Sequence, residues 1–347
     1  MSDEAPSLTL PDSAYPLTMA PSPAPQDSGA PSAARAATDV WLPIPPAQIE
    51  GLPEGFSYHF WDGDEEFPAD PDDCCFYVVP YMKGQAVSVR PLPQMRRLRV
   101  VQTLTAGIDH VAGAVRDLPP GTLLCNARGV HDASTAELAL ALTLAALRRL
   151  PAFVRAQDAE EWSPGVYDAL ADKSVLIVGY GAIGSAVEER LLPFEVEEVV
   201  RVARTPREAP RGPVQAMDAL PGLLPHADVV ILCTPLTEET RGLAGAGFLS
   251  RMKDGALLVN VARGGVVDTK SLLAELDSGR LRAALDVTEP EPLPAGHPLW
   301  QAPGVLITPH VGGPTTAFLP RAKRLLRAQL GRWARGEPLE HTVAVAE

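Results

Sequence analysis

Residues 173–191, KSVLIVGYGAIGSAVEERL, constrain this chain more than any other stretch. A short, largely β-branched run, Val175 to Val178, leads into Gly179-x-Gly181-x-x-Gly184, and a helix-like apolar pattern follows. Strand, tight glycine turn and helix, in that order, are what a dinucleotide-binding turn needs. Gly179 permits the turn, Gly181 lets the backbone approach a pyrophosphate, and Gly184 lets the helix pack close to the sheet. The helix N-terminus then offers free N–H groups to the anion. An ordinary strand–helix turn can use the same glycines, so the motif takes its weight from the buried-looking strand before it and the amphipathic helix after it.

With 347 residues the chain has length for two hydrophobic cores. The net charge of −13 argues against a general nucleic-acid binder or a binder of anionic membranes, both of which need basic surface. A local basic pocket for an anionic substrate stays open. Cys74, Cys75, Cys125 and Cys233 form neither CxxC pairs nor a metal cluster, and read as buried free thiols in a reducing compartment. The opening MSDEAPS lacks the basic and apolar regions of a secretory signal, and no uninterrupted apolar stretch reaches membrane-spanning length. The expected location is the cytoplasm.

Residues 1–38 are rich in Pro, Ala and Ser and read as a disordered leader, too poor in patterned apolar residues to offset their ordering entropy. From 39 to 127, DVWLPI, SYHFW, CCFYVVP, RLRVVQTL and TLLCN read as strands, with a helix over 108–115. Residues 134–150, STAELALALTLAALRRL, carry the strongest helix signal. They are apolar nearly all round, which argues for burial between domains or subunits, or for a simple core helix. After the glycine turn, VEEVVRVA, ADVVILC, GALLVNVA, LRAALDV and GVLITP read as strands, and SLLAELDSG as a helix. A last helix over 316–335 ends at Gly336, a plausible C-cap. The alternation predicts an α/β fold of doubly wound parallel sheets, whose ligands sit beyond the carboxyl ends of the strands.

Three polar residues stand just past strand-like runs: Arg263 after LLVNVA, Glu291 after LDVTEP and His310 after LITP. Each alone has a bland reading as a surface arginine, a loop carboxylate or a loop histidine. Together, at the ends of three successive strands, they fit carbonyl reduction. A guanidinium can hold a substrate carboxylate by a forked pair of hydrogen bonds and polarise the adjacent carbonyl. A histidine can protonate the developing alkoxide as hydride arrives on carbon. A neighbouring carboxylate raises the histidine pKa and keeps the acid form available near neutrality.

The chain resembles the D-isomer-specific 2-hydroxyacid dehydrogenase family from about residue 39 to 343. The matching motifs are TAGIDH (105–110), TAEL (135–138), GYGAIG (179–184), TPLTEET (234–240), NVARGGVVD (260–268), LDVTEPEP (285–292), HPLW (297–300) and TPHVGG (308–313). The resemblance implies two Rossmann-like domains, with a nucleotide domain (128–308) inserted in a flavodoxin-like substrate domain (39–127 and 309–347). It implies a catalytic set of Arg263, Glu291 and His310, with Glu289 as a competitor for the acidic role. It also implies a substrate carboxylate held by backbone N–H groups around Ala106 and Gly107. Tyr81 and Met82, in the loop after the third strand, would border the substrate, and Lys83 beside them would suit a second anionic group. For the cofactor it implies Gly179, Gly181, Ala182, Ile183 and Gly184 at the phosphates. Thr234, Pro235, Thr240, Val261, Ala262, Asp286, His310 and Gly312 would complete the cofactor-binding set.

For NAD, an acidic side chain usually ends the second strand of such a unit and binds the ribose hydroxyls. Here Arg204 stands at that position, followed by Thr205 and Arg207, while Glu197 and Glu198 come too early. An arginine pairs with a 2′-phosphate where an acid repels it, so NADP is favoured. RTPR also resembles the NADP-using glyoxylate and hydroxypyruvate reductases of the family. If Glu208 folds back to the ribose, NAD is the alternative. The expected activity is hydride transfer between NAD(P)H and a small 2-oxoacid to give the D-2-hydroxyacid, in a homodimer. Its rivals are a phosphoglycerate- or phosphite-dehydrogenase-type enzyme and a nucleotide-sensing, corepressor-like binding protein.

Overall fold

The computed structural model describes residues 38–343. The expected leader lies outside the described residues except for Thr38, as do residues 344–347. The first part of the chain forms β1 (Asp39–Leu42), β2 (Ser57–Phe60), β3 (Cys74–Val78), α1 (Gly84–Val89), β4 (Val100–Gln102), α2 (Asp109–Val115) and β5 (Leu123–Cys125). Next come α3 (Asp132–Leu147) and α4 (Leu150–Asp158), then β6 (Ser174–Val178), α5 (Ala182–Leu191) and β7 (Glu198–Val202). A hairpin of β8 (Arg207–Ala209) and β9 (Gly212–Gln215) precedes α6 (Leu220–Leu223), β10 (Val229–Leu232) and α7 (Ala246–Leu249). The chain closes with β11 (Leu257–Asn260), α8 (Thr269–Asp277), β12 (Arg282–Leu285), β13 (Val305–Ile307), α9 (Phe318–Ala334) and β14 (Thr342–Val343).

Two sheets result. The first runs β14-β5-β4-β3-β1-β2, the flavodoxin-like order, with β14 joined antiparallel to β5. The second runs β13-β12-β11-β10-β6-β7-β9-β8, the Rossmann order extended by β13 and by the antiparallel edge strand β8. The fold is thus α/β with two doubly wound sheets. The chain leaves the first sheet after β5, builds the second, and returns with α9 and β14 to the first.

Both faces of each sheet are covered, which is why the strands read as unbroken apolar runs. In the second sheet Leu176, Val178, Val230, Leu232 and Leu258 pack into one core. Their alternate neighbours Val175, Ile177, Val229, Ile231 and Val259 pack into another, with Ala136, Ala139 and Leu142 of α3. In the first sheet Val40, Leu42 and Phe76 meet Ala322, Leu326 and Leu330 of α9, while Trp41, Tyr77 and Val101 face the opposite core. The period of two along each strand sends successive side chains to the two cores.

The helix expected over 134–150 runs from 132 to 147 and packs on α5, β11 and β12. Arg149 takes a left-handed conformation, φ +53°, and Pro151 sits in the first turn of α4, so a new helix begins there. Gly336, at φ +65°, follows α9 as a left-handed residue past a helix end should. The β8–β9 hairpin and α4 had no expectation in the sequence.

The glycine turn shows why two of its residues cannot carry a side chain. Gly179 has φ +101°, and a Cβ there would lie 2.5 Å from the carbonyl carbon of Cys233 and the nitrogen of Thr234. A Cβ on Gly184 would lie 2.6 Å from the oxygen of Gly179. Gly179→Ala is therefore expected to cost about 2 kcal/mol or more in stability, read as a lower urea midpoint at unchanged m-value. A midpoint equal to wild type would show that β10 can retreat from the turn.

Candidate active site

The carboxyl ends of β3, β4, β11, β12 and β13 open onto one cavity of about 410 Å³. Arg263, Glu291 and His310 line it together, with Ala106, Gly107, Tyr81 and Met82 from the first sheet's loops. Ile183, Val261, Asp286 and Gly312 line it as well. The strand-end rule thus brings together residues up to 234 positions apart, from Pro80 to Pro314.

His310 is held by its backbone and its ring. Asp286, buried just after β12, accepts bonds through Oδ1 from Thr308 Oγ1 (2.6 Å) and the N–H of Val311 (2.9 Å). Its Oδ2 accepts from the N–H of Gly312 (3.0 Å). That bracket folds 308–312 into a tight bend in which His310 adopts φ +55°. Such a backbone costs a non-glycine residue energy and persists only where the surroundings hold it. The ring Nδ1 lies 2.6 Å from Glu291 Oε1. Of the two acids, Glu291 is the one that meets the histidine, while Glu289 is exposed and offers its carbonyl to Thr269.

The hydrogen bond to Glu291 raises the His310 pKa above its ordinary 6.5, against burial and the positive charge of Arg263. Reciprocally, the bond to His310 lowers the Glu291 pKa from its ordinary 4.5, against burial. The raised histidine contributes stability fully below its unfolded value and loses it as pH rises through the folded value. The depressed carboxyl contributes above its unfolded value and loses its share as pH falls through the folded one. The pair is therefore complete between 4.5 and 6.5.

Arg263 follows Ala262 at the end of β11. Its Nη1 donates to the carbonyl of Ala262 (2.8 Å), and its Nη2 lies 3.4 Å from Asp109 Oδ1. A Cβ on Gly107 would fall 2.0 Å from Nη2, so glycine is the residue that lets the guanidinium lie against the 105–107 loop. Asn126 Nδ2 donates to the carbonyl of Ala106 and Thr105 Oγ1 to that of Gly107, which steadies the loop. Tyr81 stacks on Phe318 at 3.9 Å between centroids, and burial pushes its hydroxyl up to about 12. Met82 is exposed at φ +58°. Lys83 does not join them: it pairs with Asp62 at 3.0 Å and is absent from the lining.

Three titratable lining residues, Asp109, His110 and His131, had no assigned role. Asp109 and His110 belong to TAGIDH, but nothing local gives them chemistry. Burial lowers the pKa of His110 and so favours its neutral form. His131 Nε2 lies 2.8 Å from the carbonyl of Leu104, and Nδ1 lies 3.3 Å from that of Gly313. Burial lowers its pKa too. Its partners are 27 and 182 positions away, so no local pattern could have announced it.

The family model for the NAD binding domain of D-isomer specific 2-hydroxyacid dehydrogenases matches residues 140–312. The glyoxylate reductase/hydroxypyruvate reductase of Homo sapiens is 34% identical over 291 residues, covering 80% of this chain and 88% of its own length. The protein of the same name from Mus musculus is 38% identical over 228 residues, covering 63% and 68%. A crystal structure of a D-isomer specific 2-hydroxyacid dehydrogenase from Xanthobacter autotrophicus Py2, in complex with NADPH and MES, shares 29% identity. Its TM-score is 0.75, over 89% of this chain and 98% of that one. The chain belongs to the D-isomer specific 2-hydroxyacid dehydrogenase family.

A nicotinamide dinucleotide fits the second sheet of this 2-hydroxyacid dehydrogenase. A Cβ on Gly181 would meet nothing within 4 Å, so the turn leaves open space over the start of α5, which has no side-chain cap. Thr234 Oγ1, at the end of β10, is buried without a partner. Thr240 Oγ1 accepts from the N–H of Thr237 and donates to the carbonyl of Pro235, bracing that loop. Arg204 and Thr205 are exposed just past β7. Gly181, Ala182 and Arg207 line a neighbouring pocket together with Glu208. Two expectations place less well: Ala262 is buried in a core with its N–H bonded to Asn260, and both oxygens of Asp286 serve the 308–312 bend.

The His310–Glu291 pairing is open to direct titration. By NMR the His310 ring in wild type is expected to titrate above 6.5. In Glu291→Gln, burial and Arg263 then dominate and the midpoint is expected to fall. An unmoved midpoint would remove Glu291 as the cause.

Proposed function

We propose that this protein is an NADP-preferring reductase of small, monoanionic 2-oxoacids, with Arg263, Glu291 and His310 as its catalytic set. The observation that carries this reading is the 2.6 Å contact between His310 Nδ1 and Glu291, in the same cavity as the Arg263 guanidinium. A bound reduced nicotinamide supplies the hydride. Arg263 takes the substrate carboxylate in a forked pair of hydrogen bonds and draws charge onto the carbonyl oxygen, and the N–H groups of Ala106 and Gly107 support the same carboxylate. With Nδ1 on Glu291, His310 has Nε2 for the proton that the carbonyl oxygen takes as it becomes a hydroxyl. Glu291 raises the pKa of that imidazole and so favours its charged, proton-donating form. In the oxidative direction the neutral imidazole receives the proton.

Charge supports the monoanionic class. Among the described residues lining the cavity, Arg263 is the one arginine or lysine, and Asp109, Asp286 and Glu291 are acidic. Lys83 is engaged by Asp62. A 2-oxoacid with one carboxylate finds its partner, while a second anionic group meets like charge. Glyoxylate and hydroxypyruvate, substrates in the names of the mouse and human relatives, fit that description. The decisive experiment is loss of reduced-nicotinamide absorbance with NADPH and NADH against these two acids and 3-phosphohydroxypyruvate. Turnover should favour NADPH and the small acids. The phosphorylated acid should be about 100-fold poorer in kcat/KM, since like-charge juxtaposition costs several kcal/mol. His310→Ala should lose about two orders of magnitude in turnover while binding cofactor normally. Tight cofactor binding without turnover on any acid would sink the catalytic reading.

The same reading includes a homodimer in the cytoplasm. No residue of α4 is buried within the chain, and Trp162 and Val166 beyond it are 94% and 103% exposed. With Leu150, Phe153 and Val154 they make an apolar arm that a second copy would cover. The four unpaired thiols suit a reducing compartment, and among the described residues no helix is long and apolar enough to cross a membrane. Light scattering at micromolar concentration should give a dimer, and Phe153→Asp with Val154→Asp should give a monomer. A wild-type monomer would refute the assembly.

A further inference from the structure

Behind the glycine turn lies a polar chain that the reaction does not use. Glu188, on α5, is fully buried, yet carries a carboxylate. It is neutralised by Arg201 of β7, whose Nε lies 3.0 and 2.9 Å from its two oxygens and whose Nη2 bonds Oε1. The remaining bond to this carboxylate comes from the hydroxyl of Tyr180, the residue between Gly179 and Gly181. Buried charge of this kind is tolerated only when paired, and breaking one partner is strongly unfavourable. The Tyr180 ring is thereby tied to an ion pair that joins α5 to the sheet.

Its outer side holds an arginine. Arg207 Nη2 donates to the carbonyl of Tyr180 and Nη1 to that of Thr205 at 3.2 Å. The guanidinium carbon lies 5.9 Å from the centroid of the Tyr180 ring. Arg201 lies at the same distance from that ring, so one aromatic group serves two cations. Arg207 begins β8 and is exposed, a setting in which an arginine normally samples many rotamers. Here two carbonyls and a ring confine it, while a guanidinium's five donors leave others for a ligand. Its neighbour Glu208 lines the same pocket and has the opposite preference, for ribose hydroxyls over a phosphate.

We propose that Tyr180 is the positioning residue of a 2′-phosphate subsite: anchored to the Glu188–Arg201 pair, it presets Arg207 toward an adenosine 2′-phosphate and so outweighs Glu208. This rests on the NADP reading above. Preorganisation reduces the rotamer entropy that an arginine otherwise loses on binding, so the effect belongs to phosphate recognition and not to the adenosine as a whole.

The test is calorimetry on the apoprotein with 2′,5′-ADP and 5′-AMP, which differ by the 2′-phosphate alone. Wild type should bind 2′,5′-ADP more tightly, and Arg207→Ala should erase the difference. Tyr180→Leu should weaken 2′,5′-ADP by about five- to tenfold, the range expected for losing a cation–ring contact and a preset rotamer, with 5′-AMP unchanged. Tyr180→Phe keeps the ring and its packing but not the anchor, and should fall between. It also keeps the test alive should the leucine variant unfold, and thermal midpoints of both variants check this. Equal losses on both nucleotides would mean that Tyr180 merely shapes the turn, and the inference falls. A wild-type preference erased by Arg207→Ala but untouched in both Tyr180 variants overturns the inference alone. Wild type binding the two nucleotides equally, or 5′-AMP better, overturns the NADP reading and the inference with it.

Discussion

The buried carboxylate of Asp286 organises the candidate active site. It stands at the end of β12, beside the edge strand β13 of the second sheet, and accepts from the Thr308 hydroxyl and the backbone of Val311 and Gly312. A carboxylate accepting several such bonds is satisfied where an isolated buried charge would be costly. In return the chain leaving β13 is folded into the left-handed bend that carries His310. The same bend leads to Gly313, whose carbonyl faces His131. A Cβ on Gly313 would lie 3.1 Å from the Tyr81 hydroxyl and 3.2 Å from His131 Nδ1. One carboxylate thus orders the His310 loop of the second sheet against the pocket wall of the first.

Close approach without side chains is the second theme. Gly107 gives up its Cβ to the Arg263 guanidinium, and Gly179 to the backbone after β10. A Cβ on Gly264 would lie 1.9 Å from the carbonyl oxygen of Thr288. Each glycine lies where a loop at the carboxyl end of one strand crosses another, which is where a doubly wound sheet has its crevice. Arg263 thus lies close against backbone at Gly107 and Ala262. Its guanidinium leans on a carbonyl and an acidic neighbour that a substrate carboxylate would join or displace.

The electrostatics follow from that packing. Glu291 and His310 hold each other in the charged forms because they share a short hydrogen bond at the cavity wall, and Arg263 works against the histidine's charge. His110 and His131, a few residues away in the lining, move in the opposite direction because burial governs them. Three histidines in one pocket are therefore divided by their partners: His310 is shifted toward its charged form, His110 and His131 toward their neutral forms.

Much of this was legible in the residue order. Parallel strands buried on both faces must read as short apolar runs, and the glycine spacing marks where a helix begins against its sheet. Polar residues just past those runs, Arg263, Glu291 and His310, stand out against an apolar background. The local chain also determined that the fold alternates strand and helix and that chemistry gathers at strand ends. Tertiary structure decided what depends on groups far apart in sequence: Glu291 over Glu289, the loss of Lys83 to Asp62, the seating of His131 between Leu104 and Gly313, and the confinement of Arg207 by Tyr180. Periodicity is a property of one segment and can be read from it. A hydrogen bond between residues 182 positions apart exists only once two sheets have folded and met.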